Sequence, residues 1–377
     1  MSNGVSGLIL VGVGGGGCRM AAAARRMYGE GMEVLVFDTD EVAIRALAGL
    51  RGHLFGATRL NRQGAGGVHS NGRLAAQDDL SHILSQLKDA RIVVLVACLG
   101  GGTGGGAVPV ILQALRAEGK TVLCFATLPF AFEGPERRQI AERDRPFLEQ
   151  GADTLVLAPL DELYDGLEQA ALPEAIRRAD ATLASGLCLL WRLLLTPGYI
   201  GFDPAHLQQL LSSAGTARFG SSSAAGADRA AEAVVGLGRA ALLRRGEALA
   251  GARALALGIL AGPDLRLAEV GEIMDRLRAV CRKDVHLEMG VAMDPAFEGR
   301  IELVALAFEQ WVPSDRRLAA VAGEQGSDLL GRAEGKSDGK LRVGRGKFGD
   351  AGVEKTVIKG EDLDIPTYQR QHIRLDR

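Results

Sequence analysis

The chain has 377 residues, 47% of them hydrophobic and 24% charged, with a formal net charge of -2; this is long enough for two packed domains, since single cores stop growing near about 250 residues. Near-neutrality supplies no global field toward nucleic acid or an acidic membrane surface, so partners must be recognised locally. Five scattered cysteines (Cys18, Cys98, Cys124, Cys188, Cys281) form no CxxC pair and have no histidine at metal-ligand spacing, which argues against a disulfide framework or a zinc site and fits a reducing cytoplasm.

The N-terminus shows no basic segment and apolar run of the export-signal type. From Gly7 to about Ala158, short aliphatic runs alternate with helical stretches, which predicts a parallel sheet covered on both faces. The runs are Leu8–Val13, Val34–Phe37, Ile92–Leu99, Val122–Phe125 and Leu155–Ala158, each followed by glycine, aspartate or proline. Such strands enter loops at the carboxyl edge of the sheet, where ligands bind. A long helix is predicted over Ala181–Leu195, closed by Thr196, Pro197 and Gly198. Its apolar run is broken by Arg192 and is shorter than the ~20 residues that cross a bilayer, so no membrane insertion is expected. Beyond it, helical stretches (Arg229–Arg244, Leu267–Arg282) alternate with strand-like runs (Ala252–Leu260, Val285–Val291, Ile301–Phe308), predicting a smaller α/β unit. Pro313 to Gly360 is glycine-rich, mixed in charge and nearly free of aromatics, so it reads as a flexible linker. Leu363, Ile365, Pro366 and Tyr368 then return within a charged background, in the manner of a short docking motif.

Two glycine loops carry the chemistry. Gly12-Val13-Gly14-Gly15-Gly16-Gly17 follows the first strand and precedes a helix, an arrangement that lets backbone N–H groups and a helix N-terminus approach phosphate. The same loop satisfies GxGxxG, and Asp38 or Asp40 ends the second strand where a dinucleotide fold places its ribose-binding acid. An NAD-dependent oxidoreductase is therefore one reading. The second loop, Gly100-Gly101-Gly102-Thr103-Gly104-Gly105-Gly106, opens a helix through Pro109. Two cradles suit a triphosphate gripped from two sides, with Thr103 adding a hydroxyl donor. Neither loop is followed by the lysine of a P-loop.

The run Gly100–Gly104 with Gly106 resembles the signature loop of the tubulin-like bacterial cell-division family, the FtsZ family, in which a second threonine often stands at the place of Gly105. Gly64-Ala65-Gly66-Gly67 with Gly72-Arg73 resembles that family's γ-phosphate-sensing loop. Phe130-Ala131-Phe132-Glu133-Gly134 with Arg137 is similar to its ribose and phosphate segment, where a carboxylate accepts from ribose hydroxyls and an arginine donates to phosphate. Taken alone, Glu133 and Arg137 also read as an i,i+4 pair at a helix start. The resemblance continues through Asp153-Thr154-Leu155, Gly262–Leu265, Glu269-Val270 and Gly290–Asp294. The tail Leu363-Asp364-Ile365-Pro366-Thr367-Tyr368 with Arg370 resembles the family peptide that docks membrane-tethering partners.

The resemblance implies an α/β fold with a parallel-sheet nucleotide-binding domain, a long central helix and a second α/β domain. Expected boundaries are 1–180 for GTP binding, 181–201 for the central helix and activating loop, 202–312 for the second domain, 313–360 for the linker and 361–377 for the partner peptide. It also implies GTP/GDP with Mg2+, head-to-tail filaments, and a cytoplasmic place at the division site, without nucleic acid. Nucleotide contacts are expected from Gly14, Gly15, Gly16 and Gly17; from Gly66 and Gly67; from Gly100, Gly101, Gly102, Thr103 and Gly104; and from Glu133 and Arg137. No dedicated metal ligands are expected.

Departures from the family pattern carry their own expectations. Its activating loop, inserted into the neighbouring subunit, bears an asparagine and two acidic residues; here those places hold Gly201, Asp203 and His206. Losing a carboxylate that positions water predicts slow or absent hydrolysis. Alternatively, a neutral imidazole at His206 acts as general base and the protein is an active, dynamic GTPase. Asp203 before Pro204 also reads as a helix N-cap, worth about 1 kcal/mol. Cys18 and Arg19 stand where glycine and asparagine are usual. Counting back from Pro197 puts the guanine-binding aspartate at Ala181, and a one-residue length difference assigns it to Asp180.

Overall fold

The computed structural model describes residues 7–47, 49–164, 169–195 and 215–311, together with the short strands Val357–Ile358 and Glu361–Asp362. Six parallel strands form its first half: β1 (Leu8–Val13), β2 (Val34–Asp38), β3 (Arg51–Leu54), β4 (Ile92–Cys98), β5 (Thr121–Leu128) and β6 (Thr154–Pro159). Both faces of β1 are buried along its whole length, which is why its sequence is a continuous aliphatic run rather than an alternation. Successive residues serve opposite faces: Leu10 belongs to one core cluster and Val11 to the other.

One face is covered by α1 (Gly14–Tyr28) and the other mainly by helices from the middle of the first half. Between β2 and β4 lie α2 (Glu41–Arg45), α3 (Ala57–Leu60), α4 (His69–Asp78) and α5 (Leu80–Gln86); α6 (Thr103–Ala117), α7 (Pro135–Gly151) and α8 (Leu160–Tyr164) follow β4, β5 and β6 in turn. Ala75, Ile83, Ile111 and Leu148 from α4 to α7 pack on Val93 and Leu95. The long helix α9 (Leu172–Leu195) joins α1 on the first face through Leu183, Leu187 and Trp191.

The sheet does not stop at β6. β7 (Gly215–Ala225) pairs with it in parallel, with Thr154 opposite Gly215. The later strands are β8 (Ala254–Ala261), β9 (His286–Met293) and β10 (Arg300–Phe308), and the order across the described sheet is β3-β2-β1-β4-β5-β6-β7-β10-β8-β9. Helices α10 (Arg229–Gly238), α11 (Glu247–Gly251) and α12 (Leu267–Val280) cover a third core cluster centred on Leu257, Ile259 and Leu303. Because Ala256, Val304 and Phe308 share a cluster with Trp191 and Leu187, α9 packs on both halves.

Several boundaries differ from the sequence expectation. The long helix starts at Leu172 rather than Ala181; Pro173 and Glu174 suit a first helical turn, and the charged residues Glu174, Arg177, Arg178 and Asp180 interrupt the apolar run that marks the later turns. The stretch predicted to remain helical to Arg244 leaves the helix after Gly238, and Arg244 and Arg245 take left-handed backbone angles (φ 49° and 50°). Strands β3 and β7 are additional elements. The expected activating loop with Gly201, Asp203 and His206 lies outside the described residues. So do Leu363, Ile365, Pro366 and Tyr368, and the expected linker apart from Val357–Ile358, which pairs antiparallel with Glu361–Asp362. Among the described residues no helix is long and apolar enough to cross a membrane.

Candidate functional site

Strand order reverses between β1 and β4, since β1 leads to β2 on one side and β4 to β5 on the other. Such a switch point opens a crevice beyond the carboxyl ends of the strands. Val13 is in register with Ala97, so the two glycine loops leave the sheet side by side. Gly14, at φ +73°, sits so close to the second loop that a Cβ would lie 2.8 Å from the Gly104 nitrogen; no other residue fits both the angle and the approach. Helices α1 and α6 begin here, at Gly14 and Thr103. Two helix N-termini with unpaired N–H groups therefore open onto one crevice, which favours an anion. The Thr103 hydroxyl lies 2.7 Å from that of the buried Thr39, tying the second loop to the end of β2.

A cavity of about 510 Å³ occupies the crevice. Gly14, Gly15 and Gly16 line it from the first loop, and Gly101, Gly102, Thr103 and Gly104 from the second. Gly67 of the intervening loop joins them. At Gly67 and Gly101 an added Cβ would meet nothing within 4 Å, so backbone is exposed to space that a phosphate could fill. Three expected glycines do not line the cavity. A Cβ on Gly17 would approach the Val96 carbonyl oxygen to 2.3 Å, and one on Gly100 the Arg137 carbonyl oxygen to 2.7 Å, so these two allow close packing of backbone. Gly66 has φ +61° and open space around it, and Arg73 instead borders a second cavity, of about 1310 Å³, between α4, α6 and α7.

Glu133 and Arg137 both reach the first cavity. They form an ion pair at 2.5 Å, and the second Glu133 oxygen accepts from the Phe130 N–H at 3.0 Å. Phe132 stacks on Phe130 with centroids 4.8 Å apart while remaining 62% exposed at the rim. Opposite, α9 presents Leu172, Ile176, Ala179 and Asp180, a spacing of i, i+4, i+7 and i+8 that places them on one helical face. Ala181 does not line the cavity. Asp180 accepts from Arg19 Nε at 2.6 Å, with side-chain exposures of 13% and 52% respectively. The i, i+4, i+7 spacing of Leu172, Ile176 and Ala179 after Pro173 and Glu174 is the signal that could have extended the helix back to this face.

The acids needed by the dinucleotide reading are engaged elsewhere. Asp38 is buried, accepts from the N–H groups of Thr39 and Asp40, and is pushed up in pKa by desolvation. Asp40 caps α2 by accepting from Val42 and Ala43 at 2.8 and 3.3 Å. Neither lines the cavity. Among the described residues, no group of three or more His, Cys, Asp or Glu side chains could hold a metal ion.

Comparison with known proteins agrees with this geometry. Residues 7–168 match the Tubulin/FtsZ family, GTPase domain, and residues 215–309 match the FtsZ family, C-terminal domain. The chain is 32% identical over 301 residues to the cell division protein FtsZ of Magnetospirillum gryphiswaldense, an alignment covering 80% of this chain and 53% of that protein. Against the cell division protein FtsZ of Pseudomonas aeruginosa it is 31% identical over 299 residues, covering 79% and 76%. The chain thus spans about half the length of the first of these relatives. The empty FtsZ dimer structure from M. jannaschii superposes with a TM-score of 0.74 at 25% identity, covering 80% of this chain and 88% of that one.

Proposed function

The chain belongs to the FtsZ family of tubulin-like proteins, and from that premise we propose that it binds GTP and GDP, assembles head to tail into filaments with a cytoskeletal role in cell division, and hydrolyses GTP slowly. The observation that carries this reading is the single cavity onto which both glycine loops, two helix N-termini, Glu133 and Arg137 converge. Its residues suit the nucleotide. Backbone N–H groups of Gly101, Gly102 and Gly104 with the Thr103 hydroxyl hold phosphate oxygens, and Arg137 donates to them as a charge-assisted partner. Glu133 accepts from ribose hydroxyls. Mg2+ enters with the triphosphate, which needs no protein cage for it.

Hydrolysis in this reading is completed across the subunit interface by the loop holding Asp203 and His206, both outside the described residues. With only one carboxylate in that loop, fewer acceptors position water, and positioning supplies most of the catalysis of phosphoryl transfer. Slow turnover favours long-lived filaments. The expected domain division stands as part of this proposal, as do a cytoplasmic place at the division site and tail docking to a membrane-tethering partner through Leu363, Ile365, Pro366 and Tyr368.

Phosphate release with GTP and Mg2+, run alongside polymer sedimentation, tests the reading. Polymer with little phosphate is expected, and His206→Asp should raise the rate by about a hundredfold, the lower end of what a positioned proton acceptor contributes. Rapid release by the natural protein that disappears in His206→Ala would instead mean a dynamic GTPase with histidine as its general base.

A further inference from the structure

The cavity of about 1310 Å³ between α4, α6 and α7 lies outside the nucleotide reading and shares only Gly67 with the first cavity. Helix α6 packs against both α4 and α7, so its outer face is the floor of a groove and its two neighbours are the walls. At one end a Cβ on Gly106 would lie 2.2 Å from the His69 carbonyl oxygen, so α4 closes on the floor there. From Gly106 the floor runs to Arg116, about 15 Å at 1.5 Å per residue. Half-buried Pro109 and Val110 of α6 and Ile140 of α7 give it an apolar surface, and Phe147 stands beside them 56% exposed. Aromatic and arginine side chains around an apolar floor are what protein interfaces concentrate. The charges here are one-sided: Arg73, Arg116 and Arg143 line the groove against the single acid Glu136, in a chain whose net charge is -2. Among the described residues Arg73 and Arg116 pair with no carboxylate, and Arg116 donates to the Gln150 carbonyl oxygen. Arg143 reaches only the buried Asp144, at 3.8 Å.

We propose that this groove docks one α-helix of a partner protein, about three turns long, whose apolar stripe is flanked by aspartate and glutamate. Size and charge both select that occupant. A helix about 10 Å across and about 15 Å long fills about 1200 Å³, close to the volume of the groove. Its apolar side chains, at i, i+3, i+4 and i+7, pack on Val110, Ile140 and Phe147 as in other helix-in-groove contacts. Its carboxylates meet Arg73 on the α4 wall and Arg143 on the α7 wall, which supplies the acceptors that these guanidinium groups lack within the chain. A basic helix would gain the same apolar contacts and meet like charge on both walls. The inference is independent of nucleotide binding, since it draws on no side chain of the first cavity.

Two display libraries of helix-patterned peptides of about 12 residues, one with glutamate and one with lysine at the charged positions, test this when panned on the full chain without nucleotide. Selected peptides are then measured by fluorescence anisotropy. Only the glutamate library should yield binders, and their affinity should fall as salt is raised. Phe147→Ala, which removes the aromatic anchor, and Arg143→Glu, which reverses one wall, should each weaken binding by about tenfold or more. Gln113→Trp, which sets an indole on the floor, should abolish it, and thermal melting checks that all three variants are folded. Equal enrichment of both libraries, no binder from either, or binders indifferent to all three folded variants would overturn the inference. Sedimentation of the nucleotide-free chain as a dimer that Phe147→Ala dissolves would overturn it too, by giving the groove to a second copy. Saturable binding of tripolyphosphate that Arg143→Glu removes, with no peptide selected, would give the groove to a free anion instead.

Discussion

Asp144 shows what one carboxyl group can do to the pH response of this fold. It sits on α7 almost fully buried, with Oδ1 2.9 Å from His69 Nε2 and Oδ2 without a hydrogen-bond partner. Gly105 lies opposite, where a Cβ would come within 3.1 Å of Oδ2, and being glycine it offers no hydroxyl to that oxygen. Burial pushes the Asp144 carboxyl above its ordinary range, against the opposing pull of His69 and Arg143. A carboxyl raised in the folded state contributes stability below its unfolded pKa and loses it as pH rises through the folded one. Asp144→Asn stays neutral throughout, so its stability relative to the natural protein should improve as pH is taken from about 4 to 7. Urea titrations at several pH values check this, and parallel curves for the two proteins would show that the group is not raised.

At the scale of elements, α9 decides how closely the two halves of the sheet approach. Gly186 is one point of close contact: a Cβ there would lie 1.9 Å from the ring of Phe219 on β7. That ring is fully buried and packs edge-on against Phe125 at 5.4 Å, so it has little room to move. Gly186→Ala gains about 1 kcal/mol of helix propensity but must displace a packed aromatic, an overpacking cost of about 1–3 kcal/mol or more. The clash should win, with a net loss near 1–2 kcal/mol by urea denaturation. Pairing it with Phe219→Leu should recover most of that loss; additive costs would mean that the two residues do not meet. The same region shows where sequence reasoning was strong and where it was not. β1, β4 and the glycine loops are legible because full burial and phosphate geometry leave narrow choices of residue. β7, with the sequence GTARFGSSSAA, carries glycine and serine where a strand signal would be β-branched, and its pairing with β6 and β10 supplies the order instead. β3 is short and its first two residues are exposed. The early turns of α9 carry Leu172, Ile176 and Ala179 at helical spacing, but Glu174, Arg177, Arg178 and Asp180 stand between them, so the continuous apolar run that marks the later turns is missing there.

For the whole molecule, the proposed function would make the switch-point cavity link ligand to assembly, because a head-to-tail filament would present each bound nucleotide to the next subunit. Thr103 is the lever for testing that link. It opens α6, lines the cavity and holds Thr39 through a 2.7 Å hydroxyl contact. Thr103→Trp puts an indole into a space of about 510 Å³ that the phosphates would share. It also leaves the buried Thr39 hydroxyl without that partner, which costs about 1–3 kcal/mol. A domain with about 5–15 kcal/mol of stability survives such a loss, so the variant should remain folded, with an unchanged far-ultraviolet circular dichroism spectrum and a lower melting temperature. It should purify without guanine nucleotide and fail to sediment as polymer. Loss of nucleotide with polymer retained would separate the two, and would place filament assembly on protein contacts alone. Normal nucleotide content would mean that the phosphates lie elsewhere than between the two glycine loops.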